Sequence, residues 1–248
     1  CLHRAFPLAE PGDGHTRRFV CPYHRWGYDL TGRLRAAPLM DERPDFDRDA
    51  CRLPELALEE WLGFVFVNAD RDTEPLSPRL GALAELLAPV DLGRAVHVGS
   101  MDWDSPWNWK VMVENFMESY HHLGPHVDNL GQTNPARGTH ALEVDGPCVV
   151  LENPAAEGSD PFWVMQVFPT FLFAQVRGAF PLGSWYEMQI DRHDHLHLRI
   201  HLLLPADMAG NADAVEGARE VMTRIHLEDI PVCQGIQAGI HSRRWSPG

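Results

Sequence analysis

Residues 108–126 read NWKVMVENFMESYHHLGPH. From Trp109 to His122 the run holds neither Gly nor Pro and its apolar residues recur at helical spacing, which predicts an amphipathic helix ended by Gly124-Pro125. On such a helix Glu114, Glu118 and His121 share one face. His126 lies five residues past His121, about 140° further round a continuous helix, where the two could not reach one ion. The Gly-Pro break allows the chain to turn and bring His126 back. Two imidazoles then suit a facial two-His, one-carboxylate iron site with positions open for dioxygen and substrate. The carboxylate must come from elsewhere, and with 35 acidic residues spacing alone leaves it open. Asp229 and its neighbour Glu228, in HLEDIPVCQGIQAGI, are the candidates.

Outward from this helix the chain is mixed. Residues 1–70 hold short β-type runs, RRFVCPYH, WGYDLTGRL and LGFVFVN, separated by Gly, Pro and Asp. Asp70 to Pro78 is polar and proline-bearing, a boundary, and Gly81 to Leu87 reads as a short helix. Beyond the His motif come long strands around HALEV and PCVVLEN, then FWVMQVFPTFLFAQV, then SWYEMQIDRHDHLHLRIHLLL. Asn211 to Ile240 reads as helical. The fold class is α+β, a small β module over 1–70 joined to a sheet-plus-helix domain over 71–248. Tyr120 is expected in the core, and His122 in packing or at the surface. His193, His195, His197 and His201 should line the polar face of one strand.

A second constellation lies at the start. Cys1-Leu2-His3 and Cys21-Pro22-Tyr23-His24 each offer one thiolate and one imidazole on a separate turn. Such a set suits a structural zinc or a Rieske 2Fe-2S cluster, in which His replaces Cys on one iron. One Cys and one His per turn favours the cluster, because two loop tips can give both sulfurs to one iron and both imidazoles to the other. Cys51, Cys148 and Cys233 have no partners at ligand spacing and read as small buried hydrophobes. An odd, sparse count of five cysteines argues against a disulfide framework.

The flanks carry a resemblance. C-P-Y-H-x-W-x-Y, at Cys21 to Tyr28, resembles the signature of Rieske domains, and NWKVMVENFMESYHHLGPH resembles a segment of Rieske non-heme iron oxygenase catalytic subunits. The pattern E-D-I-x6-Q-x-G from Glu228 resembles that family's late helix. The resemblance implies a partial Rieske β domain and a helix-grip catalytic domain, in a chain truncated at both ends. It implies a 2Fe-2S cluster on Cys1, His3, Cys21 and His24, and Fe(II) on His121, His126 and Asp229. Glu118 matches the family's bridging carboxylate, which links a cluster-ligand His of a neighbouring subunit to an iron-ligand His. Arg25 stands where many Rieske domains carry Gly.

Further expectations come with the family. Dioxygen is the co-substrate, and electrons come from NAD(P)H through a separate reductase or ferredoxin. A homotrimer places His24 or His3 of one chain against Glu118 of the next. The C-x-H-R-A opening and the bridging Glu resemble the branch acting on quaternary amines, although an aromatic substrate stays open. Phe116, Trp163, Phe168, Phe171, Phe173, Trp185 and Tyr186 could wall such a site by cation–π attraction or simply fill the core of a sheet. A Rieske electron-transfer protein without oxygenase activity is the alternative, but it has no use for the second domain.

Composition agrees. With 21 basic and 35 acidic residues the net charge is −14, which argues against nucleic acid or an anionic membrane as partner. No apolar run approaches the ~18 residues of a membrane span. A bacterial cytoplasmic location is expected.

Overall fold

Leu196, Leu198, Ile200 and Leu202 are fully buried, while His197, Arg199 and His201 between them face the other way. This period of two makes a half-buried strand, and that strand sits one place in from the edge of the main sheet. The structure is a computed structural model that describes residues 1–12 and 14–246. It divides into two units, Cys1–Pro75 and Leu76–Gly248.

In the first unit β1 (Arg18–Val20), β2 (Gly27–Asp29) and β3 (Leu34–Ala36) form an antiparallel meander, and β4 (Ala57–Trp61) pairs with β5 (Phe64–Asn68). Its small core is Cys21, Trp26, Tyr28 and Leu34. Asp29 holds the β2–β3 turn. Its carboxylate accepts from the backbone and hydroxyl of Thr31 at 2.8 and 2.7 Å, from Arg33 N at 3.1 Å and from Arg35 Nε at 2.6 Å. Gly32, at φ +80°, takes the left-handed corner that this turn requires.

The second unit begins with α1 (Gly81–Leu87) and β6 (Ala95–Ser105), followed by α2 (Trp109–Phe116) and the one-turn α3 (Leu130–Thr133). Strands β7 (His140–Leu142), β8 (Cys148–Asn153), β9 (Phe162–Val167), β10 (Phe171–Val176), β11 (Gly183–Arg192) and β12 (His195–Pro205) precede α4 (Ala212–Gly239). The seven strands order as β6-β12-β11-β10-β9-β8-β7, antiparallel throughout. The apolar sides of α2 and α4 pack on its inner face around Trp107, Met112, Leu198 and Ile200. Asn211 caps α4 by accepting from Asp213 N and Ala214 N.

Several expectations change. The helix from Trp109 ends at Phe116, eight residues before Gly124. Glu118 accepts from His121 N at 3.1 Å, and Ser119 donates to Thr139 Oγ1 at 2.7 Å. With these two bonds, the first local and the second spanning twenty residues, the next helical turn gives way to a tighter 3-10 turn over Tyr120–Leu123. Glu114, Glu118 and His121 therefore share no helical face, and Glu114 is exposed. Tyr120 is swung outward to 79% exposure rather than joining the core. The FWVMQVFPTFLFAQV run breaks at Phe168-Pro169 into β9 and β10, which leaves Phe168 exposed at the turn. The SWYEMQIDRHDHLHLRIHLLL run likewise folds into the β11–β12 hairpin. Cys148 and Cys233 are buried, but Cys51 is only half-buried.

Candidate metal centres

Two tight turns present the N-terminal donors. Ala5 N donates to Cys1 O at 2.8 Å and Arg25 N to Cys21 O at 3.0 Å. The residues closing them, Ala5 at φ +55° and Arg25 at φ +61°, are left-handed. That conformation explains why a Gly would be at ease at position 25, and Arg there costs roughly 1 kcal/mol. The rings of His3 and His24 lie 4.6 Å apart, with His3 stacked on Trp26 at 5.0 Å. Cys21 is buried, and Cys1 Sγ lies 3.6 Å from the Tyr28 hydroxyl. That hydroxyl accepts from Leu2 N at 3.1 Å, so its own hydrogen is free to reach the sulfur. Among the described residues, the one group of three or more His, Cys, Asp or Glu donors close enough to share a single ion lies elsewhere. Cys1, His3, Cys21 and His24 offer two thiolates and two imidazoles on two separate turns, a donor set that suits a two-iron cluster.

The single-ion group is His121, His126 and Asp229, whose donor atoms lie within 4.8 Å of one another. His126 Nε2 is 3.0 Å and His121 Nε2 3.7 Å from Asp229 Oδ1. Bonds near 2.1 Å at right angles place neighbouring ligand atoms about 3.0 Å apart, so the donor set fits a small octahedral cation. Each imidazole is held from behind by a carboxylate. His121 Nδ1 donates to Glu118 at 2.5 Å and His126 Nδ1 to Glu228 at 2.6 Å, which turns both Nε2 atoms towards Asp229. Burial alone would lower the pKa of His126, but Asp229 and Glu228 hold it above its ordinary value. Burial likewise opposes ionisation of Glu118, yet the bonds and charge of His121 outweigh it and keep that carboxyl below its usual range.

The loop from Gly124 to Asn134 fixes His126. Gly131 N donates to His126 O at 2.8 Å, and a Cβ on Gly131 would lie 2.6 Å from the carbonyl oxygen of His122. Asn129 Nδ2 donates to Glu228 at 2.6 Å, tying the loop to α4. His122 is buried, its Nδ1 donating to Asn134 O at 2.8 Å, and is a packing residue. Neither Gly131 nor Asn129 carries a sequence signal of its own. Glu228 stood out only as the neighbour of Asp229. One turn before Asp229, His226 is buried and neutral, its pKa lowered to about 4 by burial. One turn after it, the Cys233 thiol is pushed up to about 12 by burial and by Asp229.

A cavity of about 670 Å³ opens over the three donors. Phe116 and Tyr186 meet edge to face at 4.7 Å in its wall, and Phe162 and Phe180 add further aromatic surface. Burial, then Asp229, keeps the Tyr186 phenol protonated. Asp128 and Asp160 also line it, against one guanidinium, Arg224.

The sequence profile of the Rieske [2Fe-2S] domain matches residues 1–56, and that of the ring-hydroxylating alpha subunit catalytic domain matches residues 92–179. The chain belongs to the Rieske non-heme iron oxygenases. Carnitine monooxygenase oxygenase subunit of Acinetobacter baumannii is 28% identical over 269 residues, spanning 98% of this chain and 68% of that protein. Glycine betaine monooxygenase oxygenase subunit of Chromohalobacter salexigens is 34% identical over 130 residues, 52% of this chain and 29% of that one. A crystal structure of a quaternary ammonium Rieske monooxygenase with L-carnitine superposes with a TM-score of 0.83 at 21% identity, covering 99% of this chain and 68% of that one. Naphthalene 1,2-dioxygenase from Rhodococcus sp. superposes at 0.78 with 18% identity, covering 98% of this chain and 68% of that one. As a Rieske oxygenase the chain is an oxidoreductase, with an iron-sulfur cluster and a non-heme iron as its cofactors.

Proposed function

We propose that residues 1–70 carry the 2Fe-2S cluster on Cys1, His3, Cys21 and His24, and that residues 71–248 hold the mononuclear iron on His121, His126 and Asp229. The convergence of those three donors beneath an aromatic cavity supports this reading. When bound, the cluster supplies single electrons and the mononuclear iron supplies dioxygen activation. The protein's own residues do the rest. Glu118 and Glu228 fix the imidazole tautomers, Asp229 gives the anionic donor, and Phe116, Phe162, Phe180 and Tyr186 exclude water.

The substrate is a quaternary amine, which the enzyme hydroxylates or demethylates. Ring faces attract a tetraalkylammonium, which has no N–H to donate in a hydrogen bond, and the acidic lining adds to this attraction. The relatives named for carnitine and glycine betaine support the same class. Electrons come from NAD(P)H through a separate reductase or ferredoxin. Glu118, with its side chain 40% exposed, faces His24 or His3 of a neighbouring subunit in a homotrimer. The location is the bacterial cytoplasm; no helix among the described residues is long and apolar enough to cross a membrane.

Oxygen uptake by the reconstituted protein with reductase and NADH tests the substrate class. Uptake should rise with L-carnitine, glycine betaine or choline and stay at background with naphthalene. The reverse order would assign an aromatic substrate.

A further inference from the structure

On the outer face of the sheet, His97 of β6 and His201 of β12 meet end to end, His97 Nε2 lying 3.3 Å from His201 Nδ1. We propose that this pair is a further metal site, separate from the two iron centres, for a borderline-soft divalent transition metal such as Zn(II).

Distance is the first reason. Two nitrogens bound to one tetrahedral Zn(II) by bonds of 2.0–2.1 Å stand about 3.3 Å apart. The ring centroids are 5.3 Å apart at 55°, close to the 5.0 Å and 62° of His121 and His126, the pair assigned above to iron.

Support from behind is the second. His201 Nε2 donates to Glu187 Oε2 at 2.8 Å, which fixes the proton there and leaves the Nδ1 lone pair facing His97. Glu118 and Glu228 stand behind His121 and His126 in the same way. Trp185 stacks on His201 at 4.6 Å and holds its plane.

The backbone gives the third. His97 and Ser100 are three residues apart, so on a regular strand their side chains would point to opposite faces. A register shift sets Gly99 opposite Leu202 but His97 opposite Leu203, leaving Val98 as the extra residue. Gly99 takes φ +155° there, and the bulge returns His97 to the face of Ser100 and His201. Ser100 Oγ then lies 2.9 Å from His97 Nε2 and 3.0 Å from His201 Nδ1. Two imidazoles favour Zn(II), Ni(II) or Cu(II) over the oxygen-seeking Mg(II) and Ca(II), and water completes the shell. The ion would tie the edge strand to its neighbour.

The test is calorimetric titration of the iron-loaded protein with Zn(II) near neutral pH, with iron measured before and after. Wild type should take up one Zn(II) per chain in the micromolar range without losing iron. His97→Gln, a change at an exposed side chain, should weaken that binding at least tenfold, and Glu187→Gln about tenfold. Equal binding by wild type and His97→Gln, or no uptake beyond the iron centres, would reduce the cluster to a hydrogen-bonded Ser-His pair and overturn the proposal.

Discussion

His126 Nε2 lies 3.0 Å from Asp229 Oδ1, although 103 positions of sequence separate them. Behind the ring, Nδ1 meets Glu228, so two adjacent residues of α4 grip opposite edges of one imidazole. Their roles follow from the nitrogen each one faces. Asp229 points at the same space as His121 Nε2, whereas Glu228 is turned to the outer nitrogen and to Asn129.

Asp229→Ala should therefore abolish the mononuclear iron. Glu228→Gln should keep a site whose iron affinity falls 10–100-fold, as expected for a residue that orients a ligand rather than binding the ion. Iron titration into chelator-treated variants separates the two. Loss of the site in Glu228→Gln with retention in Asp229→Ala would exchange the assignments.

Much of this was legible in the sequence, and the rest failed for definite reasons. The alternation of apolar residues with His195, His197 and His201 announced its strand, because burial acts locally along a strand. The end of α2 did not. Nothing in FMESYHH breaks a helix by propensity; the break is held by Glu118 accepting locally from His121 N and by Ser119 binding Thr139, which the fold brings close. For the same reason Tyr120 looked like core and is exposed. Asp229 could be singled out from 35 acidic residues only by resemblance, since its place beside His126 is purely tertiary. The edge strand β6 was missed because Gly99 and the bulge interrupt its alternation.

Gly131 should be intolerant of a side chain. A Cβ there would press on the carbonyl oxygens of His122 and His126, at 2.6 and 3.1 Å. Gly131→Ala should cost about 1–3 kcal/mol of stability and loosen the iron site more than the cluster. Thermal unfolding and iron content measured together check this, and unchanged values for both would show that the loop yields freely.

Asp29 should give the first unit a pH-dependent stability. Its bonds from Thr31, then Arg35, hold its carboxyl well below the ordinary range. A group with a depressed folded pKa stabilises above its unfolded value, about 3.9, and loses that contribution as pH falls towards the folded value. Asp29→Asn should thus unfold at lower urea than wild type at neutral pH, with the gap closing below about pH 4. A gap that widened in acid would reverse the sign.

Glu118→Gln removes the charge behind His121 while nearly keeping the shape. Both metal centres should persist and reductase should still reduce the cluster, but electron transfer to the mononuclear iron should slow by orders of magnitude. Single-turnover stopped-flow of the cluster absorbance, with substrate and dioxygen present, reads that step. Unchanged reoxidation with full product yield would make Glu118 a surface charge only.

Iron quantitation on His126→Ala, read beside the visible spectrum of the cluster, bears most directly on the mononuclear centre. His126 is buried at 1% exposure, so thermal unfolding of the variant, followed by far-UV circular dichroism, is read as well to show that the second unit has folded. The mononuclear iron should be lost and substrate-dependent oxygen uptake abolished, with the cluster spectrum unchanged. Full iron content with that same spectrum would contradict the assignment of His121, His126 and Asp229.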